Sequence, residues 1–255
     1  HTQAWTLASG LLSLVCVGRE PLPLGIAREA LGWDASQEES ALSVTSLLFP
    51  CHKERFQVLH KSVFDWLTDP DRQEQGNKEF QSFSFRLTPA SLAQAHELLS
   101  RACVRLLNQM IARQEDKEKE ASSSSSSSSS TRAAENYAIR FAVYHLCESG
   151  SVLNAVSLVT RFEFLLLRVE LGPAKDSSED LGLVLACLEK QQSIDGEGKG
   201  KDRVDKETVH ALKLLQRALK LAQGGVQYYW EQLAAQLAGR LMGHANEANP
   251  HYNAG

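Results

Sequence analysis

Cysteine is scarce in this chain and never paired. Its five cysteines (Cys16, Cys51, Cys103, Cys147 and Cys187) are odd in number and widely scattered. No Cys-x-x-Cys spacing occurs, so neither a zinc knuckle nor a disulfide framework is expected, and four of the five fall on apolar faces where a free thiol behaves as a small hydrophobe. A reducing, cytoplasmic compartment fits that usage. Excess positive charge is also missing: the formal net charge is -4, which gives no electrostatic reason to bind nucleic acid or an anionic membrane. No apolar run approaches the length of a membrane span. The chain begins His1-Thr2-Gln3-Ala4-Trp5 without Met or a signal-peptide pattern, and is expected to be a piece of something longer.

Catalytic signatures are missing as well. No Gly-x-x-x-x-Gly-Lys-Ser/Thr loop occurs. Gly196-Glu197-Gly198-Lys199-Gly200-Lys201 resembles one in composition alone, since no Ser or Thr follows the lysine and no apolar strand leads into it. His96-Glu97-Leu98-Leu99-Ser100 begins like a zincin helix but lacks the second histidine that a metal pair requires. Gly-x-Ser-x-Gly is absent. His145, between Tyr144 and Leu146, reads as a partly buried helix histidine with a local hydrogen bond. The chain is expected to be neither an enzyme nor a metal protein.

What is present is a mostly helical pattern. With 255 residues, 43% of them hydrophobic and 23% charged, a sizeable core is possible in one or two domains. Residues 1–70 predict three helices, a hairpin and a fourth helix. The first carries Trp5, Ala8, Leu11, Leu12 and Val15 at helical spacing and ends near Gly18. Pro21 and Pro23 force an extended link before Leu24 to Leu31, stopped by Gly32. Ser36 or Gln37 starts the third helix. Leu47-Leu48-Phe49 is expected to pair with Phe56-Gln57-Val58-Leu59 across the turn His52-Lys53-Glu54, with Pro50 marking an edge strand. Ser62 with Asp65 three residues on is a capping-box pattern, so the fourth helix should begin at Ser62, its apolar face made by Val63, Phe64, Trp66 and Leu67. That order is the order of a winged-helix module.

Residues 71–87 read as an extended connector in which Phe83, Phe85 and Leu87 alternate with polar residues. Residues 88–242 read as an irregular array of helical hairpins, opened by Thr88-Pro89 as N-cap and first helical residue. Arg113 to Arg132, with its charged run and serines 122–130, is expected to be a disordered insertion. Residues 192–203 form a second loop and 243–255 a linker. Phe162 to Val169 is apolar nearly all round and should be buried.

Three stretches carry a resemblance. Leu11–Trp33, Leu59-His60-Lys61-Ser62 and Phe64-Asp65-Trp66-Leu67 look like the winged helix of STAND-class signalling NTPases. More narrowly, they resemble the group in which a NACHT-type ATPase is followed by a winged helix, a helical region and WD40 repeats. Ala95-His96-Glu97-Leu98-Leu99, Tyr137 with Tyr144-His145-Leu146, and Gln236-Leu237-Ala238-Gly239-Arg240-Leu241 fit that helical region. Related disease-resistance and apoptotic NTPases place a Met-His-Asp motif at the strand-to-helix corner, where the histidine contacts the phosphates of ADP. Leu59-His60-Lys61 is similar, with Leu for Met and Lys for Asp. The resemblance therefore implies that His60 contacts a nucleotide phosphate from a neighbouring domain and leaves Lys61 able to face one. It also implies ADP or ATP in the parent protein rather than in this segment, an upstream NTPase domain and a downstream β-propeller as partners, and a cytoplasmic signalling role. A DNA-binding winged helix and a plain helical scaffold are the competing readings. Residues 1–69 carry five Lys/Arg against eight Asp/Glu, the wrong sign for DNA.

Overall fold

The computed structural model describes residues 2–46, 49–57, 61–69, 87–119, 129–194 and 204–248. These residues are mostly helical, with one small antiparallel sheet, and they group into two units, 1–149 and 150–255. Among them no helix is long and apolar enough to cross a membrane.

The first unit opens with α1 (Thr2–Val17), β1 (Leu22–Pro23), α2 (Leu24–Leu31) and α3 (Ala35–Thr45). β2 (Cys51–His52), β3 (Arg55–Phe56) and α4 (Lys61–Thr68) follow. Pro21 and Pro23 do more than extend the link: Leu22 and Pro23 pair antiparallel with Phe56 and Arg55, giving the sheet order β1-β3-β2. Pro23 can occupy that place because β1 is an edge strand, where a missing N–H costs no ladder bond. The hairpin is tighter than its sequence suggests. Cys51 and His52 face Phe56 and Arg55, and the whole turn is Lys53-Glu54, both at positive φ. A two-residue turn of that hand matches strand twist but usually carries Asn-Gly, so no local signal announced it. Phe49, expected in the first strand, instead continues off α3: it is fully buried and its N–H donates to the Thr45 carbonyl. Leu47, Leu48, Val58 and Leu59 lie outside the described residues.

Helix ends follow local chemistry. Gly32 caps α2 at φ 63, a left-handed conformation that costs glycine nothing. α3 begins one residue before expectation, because Asp34 is its N-cap and forms a full capping box with Gln37. α4 begins at Lys61, one residue before Ser62, so Ser62 sits inside the helix rather than at its cap. Leu67 is buried on α4, Val63 and Phe64 are half-buried, and Trp66 is exposed.

Most of the expected connector 71–87 lies outside the described residues; Leu87 donates its N–H to the Leu67 carbonyl and is buried. α5 (Pro89–Lys119) and α6 (Ser129–Glu148) form a long antiparallel pair. The Thr88 hydroxyl accepts the Ser91 N–H, as an N-cap should. Both helices reach into the expected insertion. Arg113 to Lys119 remains helical, because Arg, Gln, Glu and Lys are strong helix formers, and Arg113 binds Glu135 across the pair at 2.6 Å. Residues 120–128 lie outside the described residues.

α1 and α2 pack on this pair. Gly25 permits it: a Cβ there would stand 3.2 Å from the Ala134 Cβ and 3.4 Å from the Ser130 carbonyl oxygen. Arg105 to Glu29 and Arg140 to Glu20 add exposed ion pairs at the same seam.

The second unit contains α7 (Val152–Val159), α8 (Phe162–Leu171), α9 (Ala174–Ile194), α10 (Lys206–Val226), a single 3-10 turn at Trp230–Gln232 and α11 (Leu233–Ala248). Phe164, Leu165, Leu167 and Val169 of α8 are buried, while Phe162 and Leu171 are exposed at its ends. The buried Arg168 reaches Asp180 at 2.9 Å and Asp176 at 3.1 Å from separate guanidinium nitrogens, tying α8 to α9. Burial pushes the Asp180 carboxyl up, against the opposing pull of Arg168.

Candidate functional site

The sequence directs attention first to the corner between β3 and α4. His60 lies outside the described residues, and Lys61 is described only as the first residue of α4. The corner's approach is fixed by the Gln57 N–H, which donates to the Pro50 carbonyl at 3.2 Å. His60 and Lys61 stand as expectations from the resemblance alone.

A groove of about 680 Å³ runs beside α3, lined by Arg28, Ala35, Glu38, Glu39, Leu42 and Ser43 among others. Arg28 grips Glu38 with two nitrogens, at 2.6 and 3.0 Å, and so closes one end of it. The outer face of α3 is therefore acidic and apolar, with no lysine or arginine of its own.

Buried between α5 and α6 is a polar chain that the sequence reading missed. His145 is fully buried and His96 nearly so. Their Nδ1 atoms stand 3.0 Å apart, and the Tyr137 hydroxyl lies 2.9 Å from His145 Nε2. Tyr144 sets its ring edge-on to both histidines, and the Arg19 guanidinium lies over Tyr144 at 4.7 Å.

A hydrogen bond from the Arg19 backbone acts on the Tyr137 oxygen and opposes the upward push of burial on the phenol. The chain can run in either of two senses: Tyr137 O–H to His145 Nε2 with His145 Nδ1–H to His96 Nδ1, or His96 Nδ1–H to His145 Nδ1 with His145 Nε2–H to the Tyr137 oxygen. In either sense His145 gives one proton and accepts one, which is the arrangement a buried polar chain needs.

Burial opposes an extra proton on this chain. Burial lowers the His145 imidazole to about 3, with His96 and Arg19 adding like-charge pressure. Burial lowers His96 as well, partly offset by Glu148. The pair is thus a neutral, hydrogen-bonded lock between two helices, and it is not poised as a general base near neutral pH.

Neither histidine's partner was legible locally. They are 49 residues apart, and only the antiparallel pairing of α5 and α6 brings them together. Among the described residues no group of three or more His, Cys, Asp or Glu side chains is arranged to hold a metal ion. Cys103 and Cys147 are buried, Cys16 and Cys187 partly so, and Cys51 is exposed. Burial pushes the Cys16 thiol up to about 12, which removes it as a nucleophile at neutral pH.

No protein-family model, characterised protein or solved structure matches this chain.

Proposed function

We propose that the chain is a non-catalytic regulatory and interaction segment of a STAND-type signalling NTPase. In this reading residues 1–70 are a winged helix that docks against an upstream NACHT-like domain, and the later helices lead to a WD40-like sensor. The observation that carries the reading is topological: two helices, α2 and α3, lie between β1 and β2, and the sheet order is β1-β3-β2. A winged helix has the same connectivity, which supports the reading, and in that reading Lys53-Glu54 is the tip of the wing.

The polarity of α3 favours protein over DNA as the thing docked. In a DNA-binding module of this connectivity the second helix of the helix-turn-helix enters the major groove and needs cations near phosphate. Here the corresponding helix carries Glu38 and Glu39, and like charges would oppose a phosphate backbone. Nucleotide state in the neighbouring domain would bias docking only through a difference in affinity between the two states, with His60 on the ADP phosphate as the residue that supplies the difference.

Hydrogen exchange on the full-length parent tests this. With ADP bound, the amides of α2, α3 and the hairpin (residues 24–57) should exchange more slowly than with a non-hydrolysable ATP analogue. Equal exchange in the two nucleotide states would remove the switch and leave a plain helical scaffold.

A further inference from the structure

The solvent face of α10 has an unusual sign. Lys206, His210, Lys213, Arg217 and Lys220 follow one another at steps of four, three, four and three, which places all five on one stripe of the helix. The stripe is about 21 Å long at the helical rise. All five residues are exposed, and the opposite face (Leu212, Ala218, Leu219, Ala222 and Val226) is buried in the second unit. No Asp or Glu lies on the stripe. Glu207 stands off to one side, and Glu189 of α9 reaches only Lys213, at 3.5 Å. Arg217 and Lys220 form no ion pair among the described residues.

A charged helix face is usually no more than a solvated one. Two features separate this one from that default. Its four charged members, Lys206, Lys213, Arg217 and Lys220, share one sign, where mixed signs would stabilise the helix through i,i+4 pairs. Large apolar side chains also stand exposed at its C-terminal end: Leu221 at 68%, Tyr228 at 77% and Tyr229 at 60%. Leu221 belongs to α10 itself, one residue beyond the last lysine.

We infer that α10 presents a docking surface for an acidic amphipathic helix of a partner protein, which sets a row of Asp/Glu along Lys206–Lys220 and apolar side chains on Leu221, Tyr228 and Tyr229. A straight stripe one helix wide fits a second helix with acidic residues at the same three- and four-residue steps. The exposed aromatics supply the apolar anchors that surface charge pairs lack. Duplex DNA fits less well, because the stripe is narrow and flanked by Glu207 and Glu189. A membrane surface fits less well again, because the apolar face that would insert is already buried.

The test uses the whole chain and a labelled 18-residue peptide carrying Glu on one helical face beside two leucines. The control is the same composition scrambled so that its Glu residues no longer share a face. Random duplex DNA and phosphatidylserine vesicles are titrated in parallel. At about 150 mM salt, the patterned peptide should bind in the micromolar range and at least about tenfold more tightly than the scrambled one. The double variant Arg217→Glu/Lys220→Glu, whose changes are both exposed and whose folding is checked by thermal melt, should weaken the patterned peptide by about tenfold or more. Leu221→Ser should weaken it through the apolar end and leave its salt dependence unchanged. Equal binding of the two peptides, absence of binding, indifference to the charge reversal, or tighter binding of DNA or vesicles would each overturn the proposal.

Discussion

At the scale of single residues, two buried polar groups decide how this chain responds to change. Arg168 neutralises Asp176 and Asp180 inside the second unit, and it does so with almost no exposure of its own side chain. Removing it leaves Asp180 buried without a counter-charge. Arg168→Ala should therefore cost about 3 kcal/mol in a urea melt of the chain. Arg168→Met paired with Asp180→Leu should recover most of the loss. The His96–His145 pair predicts a pH dependence. Folding lowers both imidazoles below their ordinary value, so the unfolded chain binds more protons as the solution acidifies. Stability is complete above about pH 6.5, the ordinary histidine value, and declines as pH falls from there toward about 3. The slope is at most about 1.4 kcal/mol per pH unit for each proton taken up. Urea midpoints between pH 5 and 7 check it, and His145→Phe should flatten the curve while lowering stability at pH 7, since Tyr137 and His96 then both lose a buried hydrogen-bond partner.

Among the elements, what could be foreseen tracks how local the cause is. α2 was legible because Pro23 and Gly32 bracket it, and α5 because Thr88-Pro89 starts it. α1 and α7 to α9 followed from apolar periodicity with only small differences at their ends. The hairpin register was not legible, because its turn uses Lys and Glu at positive φ where glycine or asparagine would have announced it. β1 was missed for a different reason: a two-residue strand exists only through its partner, and Phe56 stands 34 residues from Leu22. The histidine chain was invisible on the same ground. The corner with His60, by contrast, was conspicuous in the sequence and lies outside the described residues. α3 illustrates a smaller misreading with a measurable consequence. Its cap is Asp34, whose carboxylate accepts the Gln37 N–H at 2.8 Å while the Gln37 side chain accepts the Asp34 N–H at 3.1 Å. Asp34→Ala removes the first bond, leaves the backbone donor of the second, and should cost about 1 kcal/mol, read as a lower midpoint on thermal unfolding. Ser36→Ala, one of the residues taken from sequence as a start, should change it by no more than a few tenths.

On the scale of the whole molecule, the proposed function assigns the nucleotide chemistry to another domain of the parent. Its central claim is that this segment restrains the resting, ADP-bound state through His60. The direct measurement is the rate of ADP release from the full-length parent, in the wild type and in His60→Ala and His60→Gln. A charge-assisted hydrogen bond to phosphate is worth roughly 1.5–3 kcal/mol, so its loss should speed release roughly ten- to a hundredfold in variants whose thermal melts match the wild type. Well-folded variants that release ADP at the wild-type rate would contradict the claim.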